Sequence, residues 1–372
     1  MPTPGGVRHP QTQDHRSVLE RLSLLDRLLP LWILLAMAAG LLLGRFLPGL
    51  QAVLGAVQVG HTSLPIALGL LLMMYPVLAK VRYGELGAVA RDRRLLGLAL
   101  LLVWGLGPLL MFALAWWFLP DQVGFRTGLI MIGIAPCIAM VLIWIDLAQG
   151  DREAAALLVA INSIVQVLMY ALLAGFYLQV LPGWLGLDRQ AVAISVWEIA
   201  KAVAIFLGLP LLAGLFTRRI GVGLRGTRWY EHTFLPRLSP LALYGLLFTI
   251  VVMFALQGQA ITQDPLQVMR VALPLLIYFV VMWGLAFVVG QRCGFNYSRT
   301  TALAFTAAGN NFELAIAVSI SLWGLESQQA LAGVIGPLIE VPVLVSLVYV
   351  SLWLKGRFKV CADPAASPTR VA

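Results

Sequence analysis

The 372 residues are 60% hydrophobic and only 12% charged, which excludes a soluble globular protein and points to a polytopic membrane protein. The formal net charge of +9 would suit a nucleic-acid partner, but the basic residues are distributed as membrane topology requires. No GxxxxGK[ST] loop and no HExxH motif is present, so nucleotide hydrolysis and zinc-protease chemistry have no sequence basis, and neither a cofactor nor a resident metal is expected.

Apolar stretches long enough to cross about 30 Å of hydrocarbon, at about 1.5 Å of rise per residue, occur ten times. They fall at 28–47, 62–81, 95–119, 126–148, 153–180, 193–217, 238–258, 269–291, 300–323 and 329–354. The predicted fold is all-α: a cytoplasmic arm (1–26), a first five-helix repeat (27–190), a second, inverted repeat (191–355) and a cytoplasmic tail (356–372). With both termini in the cytosol, 21 of the 26 Lys and Arg lie inside, leaving Arg45, Arg126, Arg189, Lys201 and Arg270 outside. That asymmetry supports ten spans with both ends in the cytosol; the expected location is the plasma membrane, as a multi-pass protein. Trp32, Trp104, Trp116, Trp117, Trp323 and Trp353 read as interfacial anchors or packing. His15, His61 and His232 lie outside the spans, with no metal-ligand spacing.

Span four, containing "IGIAPCIAMVLIWIDLAQGD", carries a helix breaker beside a thiol. Pro136 removes a backbone donor and turns Ala135 away from helical geometry, so the span is expected to end near Gly133 and restart at Pro136. Cys137 would then occupy the first turn of the second half-helix, where free N–H groups favour a thiolate able to bind a soft metalloid reversibly. The competing reading of Cys137 is a small apolar filler. Asp146, near the cytoplasmic end of this span, is either a gate contact or a solvated terminus.

Span nine contains "AAGNNFELA" at 307–315. Gly309 can relax the helix, Asn310 is expected as an N-cap, and Glu313 as the third residue of a capping box. A carboxyl group near the bilayer centre is costly and is by default a proton or ion carrier, a role that Glu313 can combine with capping. Glu340 in span ten, between Pro337 and Pro342, is a second such candidate.

The halves resemble one another at an offset of roughly 175: "LPIALGLLL" with "SPLALYGLLF", "AAGLLLGR" with "LAGLFTRR", and "IVQVLM" with "LIEVPVL". Five spans reverse the direction of the chain, so the second copy is inverted. Interrupted helices in equivalent positions of inverted repeats mark secondary transporters with a mid-membrane site. Cys137 and Glu313 fall within a residue of equivalent positions.

With those residues in view, the chain resembles the arsenical-resistance-3 type of arsenite efflux permease, within the bile acid, arsenite and riboflavin transporter superfamily. The likeness runs from "LSLLDRLLPLWILLAMAAGLLLG" to "AGVIGPLIEVPVLVSLVYVSLWLK", through "LMMYPVLAKVRYGELG", "CIAMVLIW" and "NNFELAIAVSI". The resemblance implies broken helices four and nine crossing at mid-membrane, and export of arsenite and often antimonite by proton antiport. It also implies essential roles for Cys137, Glu313 and Glu340, and Asn310 and Asn311 offer hydrogen bonds to the metalloid's hydroxyls. A homo-oligomer and a partner ATPase are compatible with the sequence; nucleic acid is not an expected partner. The family's A-R-C, W-N and Q-N-W are here Ala135-Pro136-Cys137, Trp144-Ile145 and Leu102-Val103-Trp104. Loss of three polar groups at Pro136, Ile145 and Val103 would favour a less hydrated or larger trivalent arsenical. Sodium-coupled uptake of organic anions, as in the bile-acid relatives, and passive conduction are the rival readings.

Overall fold

A computed structural model describes residues 28–47, 49, 58–59, 62–81, 92–187 and 195–358. The N-terminal arm, His15, His61, Arg189 and Cys361 lie outside the described residues. Apart from a paired Gln58–Val59 and Thr62–Ser63, the regular structure is helical. In chain order the helices are α1 (Leu29–Phe46), α2 (Leu64–Ala79), α3 (Arg93–Phe118), α4 (Val123–Gly133), α5 (Val141–Leu147) and α6 (Arg152–Trp184). Then follow α7 (196–225), α8 (Leu235–Gln263), α9 (Pro265–Arg292), α10 (Tyr297–Ala308), α11 (Phe312–Trp323) and α12 (Gln328–Lys355). Among the described residues, five helical runs are long and apolar enough to cross a membrane: α3, α6, α9, α12 and the run Val196–Gly258, which turns at Gly226 and so contains α7 and most of α8. Gly226 sits at φ 80°, a conformation open to glycine and strained for other residues, and reverses the chain between them.

The helices begin where a polar side chain can accept from free N–H groups. Asp92, Asp151, Asp264, Asn296, Asn311 and Ser327 each do so, at α3, α6, α9, α10, α11 and α12.

Glycines set how the helices pack. Gly40 and Gly44 of α1 lie against Val251, Phe254 and Ala255 of α8, so the two run parallel with backbones in close approach. Gly245 of α8 meets Gly69 and Met73 of α2, and Gly214 of α7 meets Leu78 and Ala79. Between apolar helices in lipid, such small-residue contacts replace the hydrophobic drive that water supplies elsewhere. A second group packs the same way: Gly128 of α4 meets Gln329 and Ala332 of α12, and Gly133 meets Met111 of α3. Gly336 of α12 is the tightest case, because an added Cβ would fall inside the Phe312 ring. Gly336→Val is therefore expected to lower stability by about 1–3 kcal/mol, the usual cost of overpacking. Thermal unfolding in detergent checks this; an unchanged midpoint would contradict it.

Chain reversals collect at two ends. At one, the Asp151 N–H donates to Ser298 O at 2.9 Å and the Tyr297 hydroxyl to Ala148 O at 2.7 Å. There too Arg299 reaches Asp92 at 3.1 Å and Asp151 at 3.8 Å, and Lys355 donates to Gln149 Oε1 at 2.6 Å. At the other, Arg270 pairs with Asp121, and Gln257 donates to Leu325 O at 2.6 Å. The Arg270 hydrogen bond holds the exposed Asp121 carboxyl below the usual carboxylate range.

Candidate functional site: two broken helices that cross

α4 ends at Gly133, as the sequence predicts, and α10 ends at Ala308 before an extended Gly309 (φ −75°, ψ 140°). The extended segments that follow meet in an antiparallel bridge, Pro136 opposite Asn310. The Cys137 N–H donates to Gly309 O at 3.0 Å, and the Asn311 N–H to Ala135 O at 2.7 Å. Each break thus satisfies the other's backbone, which an apolar interior demands. Pro136 holds the position whose ladder bonds are made by its neighbours, so its missing N–H leaves nothing unpaired. The two bonds also exchange under a local two-fold: Cys137 and Asn311 play one part, Gly309 and Ala135 the other.

Two expectations are corrected here. Pro136 does not open a helix, and Cys137 is not in a first turn. The second half-helix, α5, begins at Val141, because residues 135–137 must stay extended to pair with the other break. Nor is Asn310 an N-cap. Asn311 caps α11, its Oδ1 accepting from the Leu314 N–H at 3.1 Å, and Glu313 is the second helical residue, so no capping box forms. Asn310 instead donates from Nδ2 to Ile132 O at 2.9 Å, tying off the end of α4.

Cys137 is 3% exposed. Gly309 leaves the space around it: a Cβ there would stand 3.0 Å from Cys137 Cβ and 3.8 Å from Glu340 Oε1. Glu340, Glu313 and Cys137 are all buried around the same crossing. Neither carboxyl makes an ion pair among the described residues. Asn310 Oδ1, Asn311 Nδ2 and Glu340 Oε1 are buried without a hydrogen-bond partner. Polar atoms left so at this depth are expensive, and three of them gather around one crossing. Asn311 also lies against Leu70, Met74, Phe206, Leu207 and Leu314, where α2 and α7 meet α11, with no room there for a water molecule. Asn311→Ala is expected to cost about 1 kcal/mol of stability through the lost cap, while Asn311→Ser, an uncharged cap, keeps most of it; equal melting of both variants would refute the capping role.

Three buried polar residues were not singled out in the sequence. Tyr278 of α9 lies beside Asn310. On α6, Asn162 accepts from the Trp104 indole N–H at 3.0 Å, and Gln166 is fully buried with both amide atoms unpartnered. A signal for Gln166 existed: the match of "IVQVLM" to "LIEVPVL" sets it opposite Glu340.

Asp146 is 5% exposed at the end of α5, with Arg152 Nη1 at 3.3 Å from Oδ2, so it is not a solvated terminus. Val103 is buried on α3, and Ile145 packs against the turn at Gly150. Trp117 and Trp353 are exposed as anchors would be, whereas Trp104 is held by Asn162 and Trp116 lies beneath the Arg126 guanidinium at 3.7 Å.

Apolar helices, paired breaks and buried carboxyls at their crossing define a multi-pass membrane transporter, a carrier of solutes and not an enzyme. Residues 67–264 match the model of the Sodium Bile acid symporter family. An arsenical-resistance protein Acr3 of Corynebacterium glutamicum is 59% identical over 90% of both chains. An uncharacterized transporter of Synechocystis sp. is 33% identical over 88% of both. An Acr3 of Alkaliphilus metalliredigens is 27% identical over 88% of this chain and 92% of its own. The chain belongs to the sodium bile acid symporter family, within its Acr3 arsenical-resistance group.

Proposed function

We propose that the protein exports the trivalent metalloids arsenite and antimonite from the cytosol across the plasma membrane in exchange for protons. The observation that carries this reading is the Pro136–Asn310 crossing, which gathers one thiol, two carboxyls and unpartnered amide atoms, in a chain 59% identical to an arsenical-resistance protein.

Ten crossings in two inverted five-helix repeats are the architecture behind it, with α4–α5 and α10–α11 as the fourth and ninth. Supporting this, Val123 and Tyr297 open α4 and α10 174 residues apart, the same offset as Pro136 and Asn310. Arg152 and Gln328 open α6 and α12 176 residues apart. The end joined by Arg299, Tyr297 and Lys355 carries the basic loops and is the cytosolic one, with both termini on that side.

In the cycle, arsenite reaches Cys137 from the cytosol. The thiol forms an As–S bond as one arsenic hydroxyl leaves with the thiol proton as water, and hydrolysis reverses the step on release. A single sulfur gives a bond that can be undone, as a carrier requires. Asn310 Oδ1 and Asn311 Nδ2 hydrogen-bond the remaining hydroxyls. Glu313 and Glu340, uncompensated at depth, are neutralised by protons that enter from outside and leave inside. Asp146, paired to Arg152, acts as the cytosolic gate. Pro136, which sits in the crossing itself, widens acceptance toward methylated arsenicals, while Ile145 packs at the turn at Gly150, away from it.

The test is flux into inverted vesicles carrying the protein, with the lumen acidic. Arsenite and antimonite are expected to accumulate against their gradients, and replacing sodium with choline is expected to change nothing. Dependence on sodium would favour the symport reading, and equilibration without accumulation a channel.

A further inference from the structure

Where α7 turns at Gly226, a cleft of about 430 Å³ opens between the helix and the segment that follows it. One wall is the stripe Phe216, Ile220 and Leu224, four residues apart on a single face of α7 and 55%, 57% and 81% exposed. The opposite wall is Trp229 stacked on Phe234 at 5.6 Å. At the mouth, the Arg225 guanidinium lies 4.7 Å over the Trp229 ring. Residues 216–237 hold five arginines, at 218, 219, 225, 228 and 237, against one acid, Glu231. Arg218 takes Glu231 at 3.1 Å, so Arg219, Arg225, Arg228 and Arg237 have no carboxylate partner among the described residues.

An apolar trough with the unneutralised Arg225 guanidinium at its mouth, and Arg228 three residues further along the chain, matches one kind of membrane component. We propose that this cleft binds an anionic phospholipid, one acyl chain lying along Phe216, Ile220 and Leu224 and the phosphate resting at Arg225 and Arg228. A soluble anion would leave the apolar wall unfilled, and a zwitterionic headgroup would leave the arginines uncompensated; basic pockets beside membrane helices recruit anionic lipids on both counts. The inference rests on the membrane location and not on the transported substrate.

Native mass spectrometry of the purified full chain, given equal amounts of phosphatidylglycerol, phosphatidylethanolamine and phosphatidylcholine, provides the test. Phosphatidylglycerol is expected to be retained preferentially, and R225Q with R228Q to weaken that retention by about fivefold per arginine removed. I220N, which changes no charge, is expected to weaken it as well. R93Q with R94Q removes the same charge at the same end and is expected to leave retention intact. Equal loss in that control, no preference for phosphatidylglycerol, or full displacement by inorganic phosphate would each overturn the proposal.

Discussion

Cys137→Ser is expected to abolish arsenite export while leaving the fold intact. The exchange swaps sulfur for oxygen in a side chain that is 3% exposed and whose backbone N–H is bound to Gly309 O, so the bridge to the other break survives. What disappears is the soft ligand: an alcohol forms an arsenic ester that water displaces readily, while a thiol competes with water. A fall of about a hundredfold or more in flux at low arsenite, equivalent to about 2.8 kcal/mol, is the expected scale. Cys293→Ser removes an exposed thiol and is expected to leave flux unchanged. Vesicle uptake alongside thermal unfolding separates the outcomes. Wild-type flux in Cys137→Ser would remove the sulfur from the mechanism, and a large loss of stability would reassign it to packing.

The break in span four was legible because proline and a thiol stand out against an apolar background, and the break in span nine because two asparagines and a carboxylate do. Their relation was legible only coarsely: the offset between the halves brought the two breaks into register but matched Cys137 to Glu313, whereas the residues that meet are Pro136 and Asn310, which makes Asn311 the counterpart of Cys137. How each break is built was not. Capping rules treat a helix start as a local matter, and on local rules Pro136 and Asn310 both open helices. In the folded chain the backbone partners of each break lie on the other, some 174 residues away, so extended pairing displaces both starts, to Val141 and to Phe312. Gln166 escaped for a different reason. A neutral amide hardly disturbs a hydropathy profile, and only its burial with both polar atoms unpartnered sets it apart. The glycine contacts that draw α1 to α8 and α4 to α12 are likewise tertiary facts, since a glycine in an apolar run does not say which helix it faces.

Glu313→Gln is expected to bind arsenite and exchange it across the membrane, yet no longer to accumulate it in response to a pH gradient. Glutamine keeps the size and a polar end, and Glu313 makes no ion pair among the described residues, so the change removes the exchangeable proton with little else. With one proton exchanged per arsenite, one unit of pH gradient supplies about 1.4 kcal/mol, or about tenfold accumulation. The sign follows from antiport: in inverted vesicles an acidic lumen drives arsenite inward as protons leave, and a basic lumen opposes it. Wild type should therefore show that tenfold ratio per unit, and Glu313→Gln a ratio near one with equilibrium exchange still measurable. Glu340→Gln places the proton between the two carboxyls, which act on each other across the crossing. If Glu340→Gln alone loses the gradient response, the carrier is Glu340; if each variant still accumulates arsenite as wild type does, neither carboxyl is the coupling group. Loss of exchange as well as accumulation in Glu313→Gln would instead make Glu313 part of the substrate's binding shell, since a coupling residue is needed for direction and not for passage.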